Sequence, residues 1–219
     1  MLIEEAQWIK QILQSEFTTD DFPMLNVGSS SEGFRKNTQP HIHELIFKPL
    51  LDREARVYHA DIKQDDGVEL VGDLNDPEFR QKLAELEIKS VLCSNLLEHL
   101  KDPQLICDSI MDLLNSGDKL IVTVPHQFPF HKDPIDTMLR PGVKELEKMF
   151  PEMETIKSEI TVADRCYLDD LKANKRYFLI MCFRWCMPFY KYSEWKYMIK
   201  DLFRWRKKYS ATAVYFRKR

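Results

Sequence analysis

The sequence predicts an α/β fold, a mostly parallel seven-stranded sheet with helices on both faces. Three observations carry this expectation. Short apolar runs alternate with amphipathic stretches at roughly 25–30-residue spacing, as right-handed βαβ units require. Several of those runs, such as Leu-Ile-Val-Thr-Val at 120–124, are apolar without alternation, which suits strands covered on both faces. Two helix starts carry the same pair, Asp76-Pro77 and Asp102-Pro103, with proline in the first turn.

Taken in order, residues 1–20 hold an N-terminal amphipathic helix, with Trp8, Ile9, Ile12 and Leu13 on one side. Met24 to Val27 is the first strand, ending at Gly28. Pro40 to Leu51 reads as a helix with Ile42, Leu45, Ile46 and Leu50 inward. Strands follow at Ala55–Ile62 and Val68–Val71, then a helix from Asp76-Pro77 to about Leu86. Lys89–Cys93 is the fourth strand, and a helix runs from Asp102-Pro103 to Leu114. The turn Asn115-Ser116-Gly117-Asp118 leads into the fifth strand, Leu120–Val124, which Pro125 is expected to break. Pro141–Phe150 is a further helix. Thr155–Val162 and Ala211–Phe216 are the last two strands, separated by a helical insertion over 166–209. The whole of 1–219 reads as a single domain.

Composition narrows the class. Hydrophobic residues at 44% and charged residues at 31% suit a soluble globular protein and exclude a disordered or fibrous one. Cys93, Cys107, Cys166, Cys182 and Cys186 show no metal-ligand spacing. Their odd number, and an acidic amphipathic start unlike a signal peptide, predict a reduced, cytoplasmic protein. The net charge of −3 is uneven. Residues 172–219 carry fourteen Lys and Arg against Glu194 and Asp201, a net of +12, so residues 1–171 carry −15. A basic end on an acidic body predicts an anionic partner.

In open α/β sheets the ligand sits beyond the carboxyl ends of the strands. The first strand ends at Asn26-Val27-Gly28-Ser29-Ser30, where glycine allows close approach of backbone to a ligand or simply makes a tight turn. The second ends at Asp61, whose carboxylate can accept both hydroxyls of a ribose or lie solvated at a loop start. The third ends at Gly72-Asp73-Leu74, where a carboxylate can accept an amino group. The fourth runs into Ser94-Asn95-Leu96-Leu97-Glu98-His99-Leu100-Lys101-Asp102-Pro103.

Over about residues 22–165, these strand ends together resemble the class I S-adenosylmethionine-dependent methyltransferases, of the kind found with saccharide and natural-product assembly. The Leu-Glu-His followed by an Asp-Pro helix start is the most specific part. Gly72-Asp73-Leu74 before it and Leu-Ile-Val-Thr-Val-Pro after it strengthen the likeness. The resemblance implies a Rossmann-like methyltransferase fold and S-adenosyl-L-methionine as cofactor. Asn26, Gly28, Ser29 and Ser30 would lie against its methionine part, Asp61 and Ile62 at its ribose, Asp73 and Leu74 around its adenine, and Asn95 and Leu96 near the methionine moiety. The first loop departs from the family's acidic residue and alternating glycines, with Asn26, Ser30 and Glu32 in their places and Gly33 one step late. Glu32 would repel a ligand carboxylate unless it points away. The Gly-x-Gly-x-x-Gly loop of a dehydrogenase is absent.

Methyl transfer needs an aligned acceptor, an excluded solvent and, for a hydroxyl, a base. The segment after the fifth strand, Pro125 to Pro141, offers them. His126 or His131 is the candidate base, Asp133 or Asp136 the orienter, and Arg140 an anchor for an anion. Asp136 and Arg140, four apart, can equally pair to brace the loop. His99 is a cleft-lining or substrate-binding candidate, or a structural residue. A divalent metal on His126, His131, Asp133 and Asp136 is conceivable, but no spacing is diagnostic and no metal is assigned.

The insertion mixes aromatics (Trp185, Phe189, Tyr190, Trp195, Tyr197, Phe203, Trp205) with basic residues. It suits a lid, a packed helical hairpin or an element on an anionic membrane surface, and nucleic acid is disfavoured. The functional expectation is a methyltransferase acting on a small-molecule or lipid-linked acceptor, such as a saccharide hydroxyl. The alternatives are a non-catalytic binding or scaffold relative and a peripheral membrane platform.

Overall fold

The structure, a computed structural model, describes residues 1–131 and 135–219. Its helices are α1 (Ile3–Ser15), α2 (Pro40–Ile42), α3 (Lys48–Leu51), α4 (Pro77–Ala84), α5 (Pro103–Leu113), α6 (Val143–Met149), α7 (Tyr167–Ala173), α8 (Lys175–Trp185) and α9 (Tyr192–Phe203). Its strands are β1 (Met24–Val27), β2 (Val57–Asp61), β3 (Leu70–Val71), β4 (Ser90–Ser94), β5 (Lys119–Gln127), β6 (Met153–Cys166) and β7 (Lys208–Lys218). They form one sheet in the order β3-β2-β1-β4-β5-β7-β6. The first five run parallel, and β7 lies antiparallel between β5 and β6.

Each face of the sheet buries an apolar layer. On one, α4, α5 and α6 cover Leu25, Val91, Cys93, Leu120 and Val122. On the other, the Trp8, Ile9, Ile12 and Leu13 stripe of α1 packs with Ile42, Ile46 and Leu50 over Met24, Leu92 and Ile121. The helix expected at Pro40–Leu51 is built from α2 and α3 joined by a wide π turn at His43–Phe47, with another π turn ahead of it at Phe34–Thr38. Asp76 caps α4 by accepting from the Glu78 N–H at 3.0 Å.

Pro125 does not end the fifth strand. The strand continues to Gln127, and its register against β7 shifts between Pro125 and Gln127. Proline cannot donate to a ladder, so it is tolerated where a bulge interrupts the pairing. The last two strands are also longer than expected, and they carry α7–α9 between them.

Candidate functional site

The order β3-β2-β1-β4 reverses direction of travel at β1 and β4, and the loops beyond their carboxyl ends open apart. A cavity of about 1370 Å³ lies there. Asn26, Gly28, Ser29, Ser30, Asp61, Ile62, Asp73, Leu74, Asn95, Leu96, His99 and His131 all line it.

The loop after β1 is strained and clamped. Gly28 has φ +68°, and a Cβ there would stand 2.8 Å from Leu96 Cδ1, so the position needs glycine twice over. Ser30 also lies in the left-handed region, at φ +54°. Its N–H donates to Asp61 Oδ2 at 2.9 Å, tying β1 to β2, while Asp61 Oδ1 accepts from the Lys63 N–H at 3.1 Å. The missing glycines are offset by Arg35. Its buried guanidinium donates to the carbonyls of Ser29 (2.8 Å), Ser30 (2.5 Å) and Gly67 (2.8 Å). Glu32 forms an ion pair with Lys36 and is absent from the cavity wall, so it does not oppose a ligand carboxylate. Asn26 bonds His59 Nδ1 at 3.0 Å. Burial pulls the His59 imidazole down to about 3, so the ring is neutral and Nδ1 accepts.

At the third and fourth strand ends, Asp73 Oδ1 accepts from the Asn75 N–H at 2.9 Å. Asn95 has φ +49° and donates through its amide to Glu5 Oε1 at 2.6 Å. Glu5 reaches in from α1, fully buried, and also accepts from Thr123 Oγ1 at 2.6 Å and from the Leu2 N–H at 3.0 Å. Sequence reasoning missed it. The signal was present, because Glu5 falls one turn before Trp8 and Ile9, on the apolar side of α1.

Around His131 the structure sorts the candidates. Pro125 lines the cavity and His126 does not, since successive strand residues point to opposite faces. His126 instead has a buried Nδ1 without a partner among the described residues. Asp133 lies outside the described residues. Asp136 is buried and bonds His131 twice, through the backbone N–H at 3.0 Å and Nδ1 at 3.2 Å. Arg140 grips the same carboxylate in a fork, at 3.1 and 2.7 Å. Its other bonds go to backbone carbonyls of the segment and to Met138 Sδ, and it is absent from the cavity wall, so in this structure it braces the loop. Burial favours the neutral form of Asp136, but the bonds from His131, Arg140 and two backbone N–H groups outweigh it and hold the carboxyl well below the usual range.

Glu98, in the turn Leu97–His99, is the second residue that sequence reasoning passed over. Its side chain is fully buried, and burial pushes it up to about 7 despite its own backbone hydrogen bond and the nearby Arg140 guanidinium. The Thr137 N–H and Oγ1 both donate to its backbone carbonyl, at 2.9 and 3.0 Å, which fastens the 135–140 segment to the turn after β4. No residue of α7–α9 lines the cavity among those described. The insertion packs beside it, with Tyr167, Leu171 and Met181 against Phe128 and Tyr209, and Phe130 stacked on Tyr197. In this arrangement it backs the 128–131 segment from outside the cavity. No described helix is long and apolar enough to cross a membrane.

No family model and no curated relative matches the chain. Solved structures do. A putative methyltransferase from Bacillus halodurans superimposes with a TM-score of 0.56 at 12% identity, over 96% of this chain and 98% of that one. Coclaurine N-methyltransferase bound to N-methylheliamine and S-adenosylhomocysteine gives 0.55 at 13% identity, over 98% and 70%. The [4+2]-cyclase SpnF gives 0.53 at 13% identity, over 97% and 81%. A fold shared by methyltransferases and a cyclase does not by itself choose a reaction. By strand order and by these superpositions, the chain has the Rossmann-like fold of the class I S-adenosylmethionine-dependent methyltransferases.

Proposed function

We propose that the chain is an S-adenosylmethionine-dependent methyltransferase acting on a small-molecule or lipid-linked acceptor. The observation that carries the reading is the convergence of the loops after β1, β2, β3 and β4 on one cavity. The residues present fit the cofactor. Asp61 keeps free lone pairs for two hydroxyls although each oxygen already accepts one backbone N–H. Asp73 is placed likewise for an amino group. Glu32, the one residue of the first loop that would repel a carboxylate, is drawn off by Lys36. At about 1370 Å³ the cavity exceeds the usual volume for a single small ligand, so it has room for cofactor and acceptor together.

When bound, the cofactor supplies an electrophilic methyl carbon. The chain's part is to align the acceptor, exclude water and manage a proton. His131 is the residue we assign to proton loss from a hydroxyl acceptor. Its Nδ1 is held by Asp136, Asp136 is held by Arg140, and Nε2 is left for the cavity. A saccharide hydroxyl suits the polar character of this end.

The insertion supports a lipid-linked acceptor. Phe183 and Phe203, on α8 and α9, and Phe189, in the turn between them, are 72%, 83% and 86% exposed, in a segment that also carries Arg184, Lys191, Lys196 and Lys200. Apolar side chains interleaved with cations suit docking on an anionic membrane surface.

Calorimetry with S-adenosylmethionine and S-adenosylhomocysteine tests the reading. Saturable binding of both is expected; heat from neither at high micromolar concentration refutes it.

A further inference from the structure

Three ligating side chains meet at the acceptor end of the cavity. Glu98 and His99 come from the turn after β4, and His131 from the segment after β5. One ligand atom from each lies within 4.8 Å of the others, and Glu98 Oε1 stands 3.7 Å from His99 Nε2. The two imidazole rings meet edge to face with centroids 5.3 Å apart. Both carboxylate oxygens of Glu98 are buried, and neither has a hydrogen-bond partner among the described residues. A carboxylate left like this is costly to keep, and an ion arriving from outside the chain removes the cost.

The tautomers of both histidines follow from their partners. His99 Nδ1 lies 2.5 Å from the Ile135 carbonyl oxygen. A carbonyl only accepts, so Nδ1 carries the proton and Nε2 the lone pair. His131 Nδ1 faces two acceptors, Asp136 Oδ2 at 3.2 Å and the Pro129 carbonyl at 3.4 Å, so its lone pair is also on Nε2. A carboxylate or carbonyl behind the far nitrogen is the support that metal-ligating histidines have. Here His99 has a carbonyl and His131 both kinds, and the carboxylate is itself gripped by Arg140.

We propose that Glu98, His99 and His131 bind a divalent first-row transition-metal ion, with the remaining coordination positions open to the cavity. Two imidazoles and one carboxylate are a donor set that such ions favour over magnesium or calcium. Closing on an ion at about 2.1 Å draws the ligand atoms together, and Glu98 breaks no side-chain hydrogen bond in moving. The inference deepens the methyl-transfer reading and rests on it for the role of the ion alone. With the ion present, His131 Nε2 is a ligand, and the ion replaces it in lowering the acceptor's proton affinity, the proton leaving to cavity water.

The test uses the full chain, stripped with a chelator. It is titrated with Co²⁺ followed by visible absorption, and with Zn²⁺ and Mn²⁺ followed by calorimetry. One ion per chain is expected. Glu98→Gln, His99→Asn and His131→Asn are each expected to weaken it by about tenfold or more, and Asp61→Ala to leave it unchanged. Melting curves identify any variant that fails to fold, and the other two then carry the test. No saturable binding of any of the three ions below about 1 mM, a Kd equivalent to only about −4 kcal/mol, overturns the proposal. Binding that the folded variants leave intact overturns it as well. S-adenosylhomocysteine bound in chelator by a chain that takes no ion sinks the metal site alone. An ion bound by a chain that takes neither form of the cofactor sinks the methyl-transfer reading alone.

Discussion

Glu98→Gln in chelator-treated protein is expected to raise stability at pH 8 by about 3 kcal/mol. Folding moves this carboxyl from the ordinary 4.5 to about 7, because burial outweighs its own backbone hydrogen bond and the nearby Arg140 guanidinium. The folded form therefore holds its proton more tightly than the unfolded form. The side chain brings no penalty below pH 4.5, an increasing one as the pH rises through 7, and a constant one above. At about 1.4 kcal/mol per pH unit, the penalty is about 1 kcal/mol at pH 5 and about 3 kcal/mol at pH 8. Glutamine has the same shape and no charge, so it escapes the penalty. Thermal melts of both proteins at the two pH values read this directly. For a chain of 219 residues the expected gain is about 6–12 °C at pH 8 and about 2–4 °C at pH 5. A gain that ignores pH, or a loss at pH 8, would show that the carboxylate is satisfied and the reasoning wrong. The same substitution removes a proposed ion ligand, so stability and ion affinity should move in opposite directions.

Four further outcomes follow from the geometry. Asp61→Ala takes away the acceptor that the Ser30 and Lys63 N–H groups share and should weaken S-adenosylhomocysteine binding about 10- to 100-fold by calorimetry; an unchanged affinity would remove Asp61 from the cofactor site. Arg140→Ala leaves the Asp136 carboxylate buried with one partner fewer and should cost about 3 kcal/mol at pH 7 in urea melts. Because Asp136 is depressed in the folded chain, that gap should close as the pH falls below about 4; a gap independent of pH argues against the pair. Gly28→Ala forces a side chain into the left-handed region and against Leu96, for a loss of about 1–3 kcal/mol and weaker cofactor binding, and wild-type melting would contradict the local geometry. Replacing Phe183, Phe189 and Phe203 together by Ser should abolish flotation with anionic liposomes while leaving the melt intact; undiminished flotation would exclude the insertion as the contact.

The strands and their order of ligand-facing ends were legible because apolar runs and Asp-Pro starts are local features. The same holds for the stripe Trp8, Ile9, Ile12 and Leu13. What escaped depends on which neighbour a side chain meets. Pro125 reads as a break, yet the strand carries it through at a register shift against β7, and the alternation of that continued strand turns His126 away from the cavity. For Arg140 the sequence leaves ligand anchor and loop brace open, and only the structure shows the fork to Asp136. Arg35, in a polar stretch with no periodicity, gives no hint that it clamps three carbonyls from two loops. Glu98 sits inside the most recognisable motif of the chain, and only its surroundings reveal that its carboxylate meets no partner among the described residues.

Cys166 and Lys208 face each other across β6 and β7, so the backbone departs for α7–α9 and returns within a single interstrand gap of about 5 Å. A two-residue Asn-Gly corner can bridge such a gap. The helices are thus plugged into a socket on the ribbon, and exchanging one cassette for another leaves the rungs of the sheet in register.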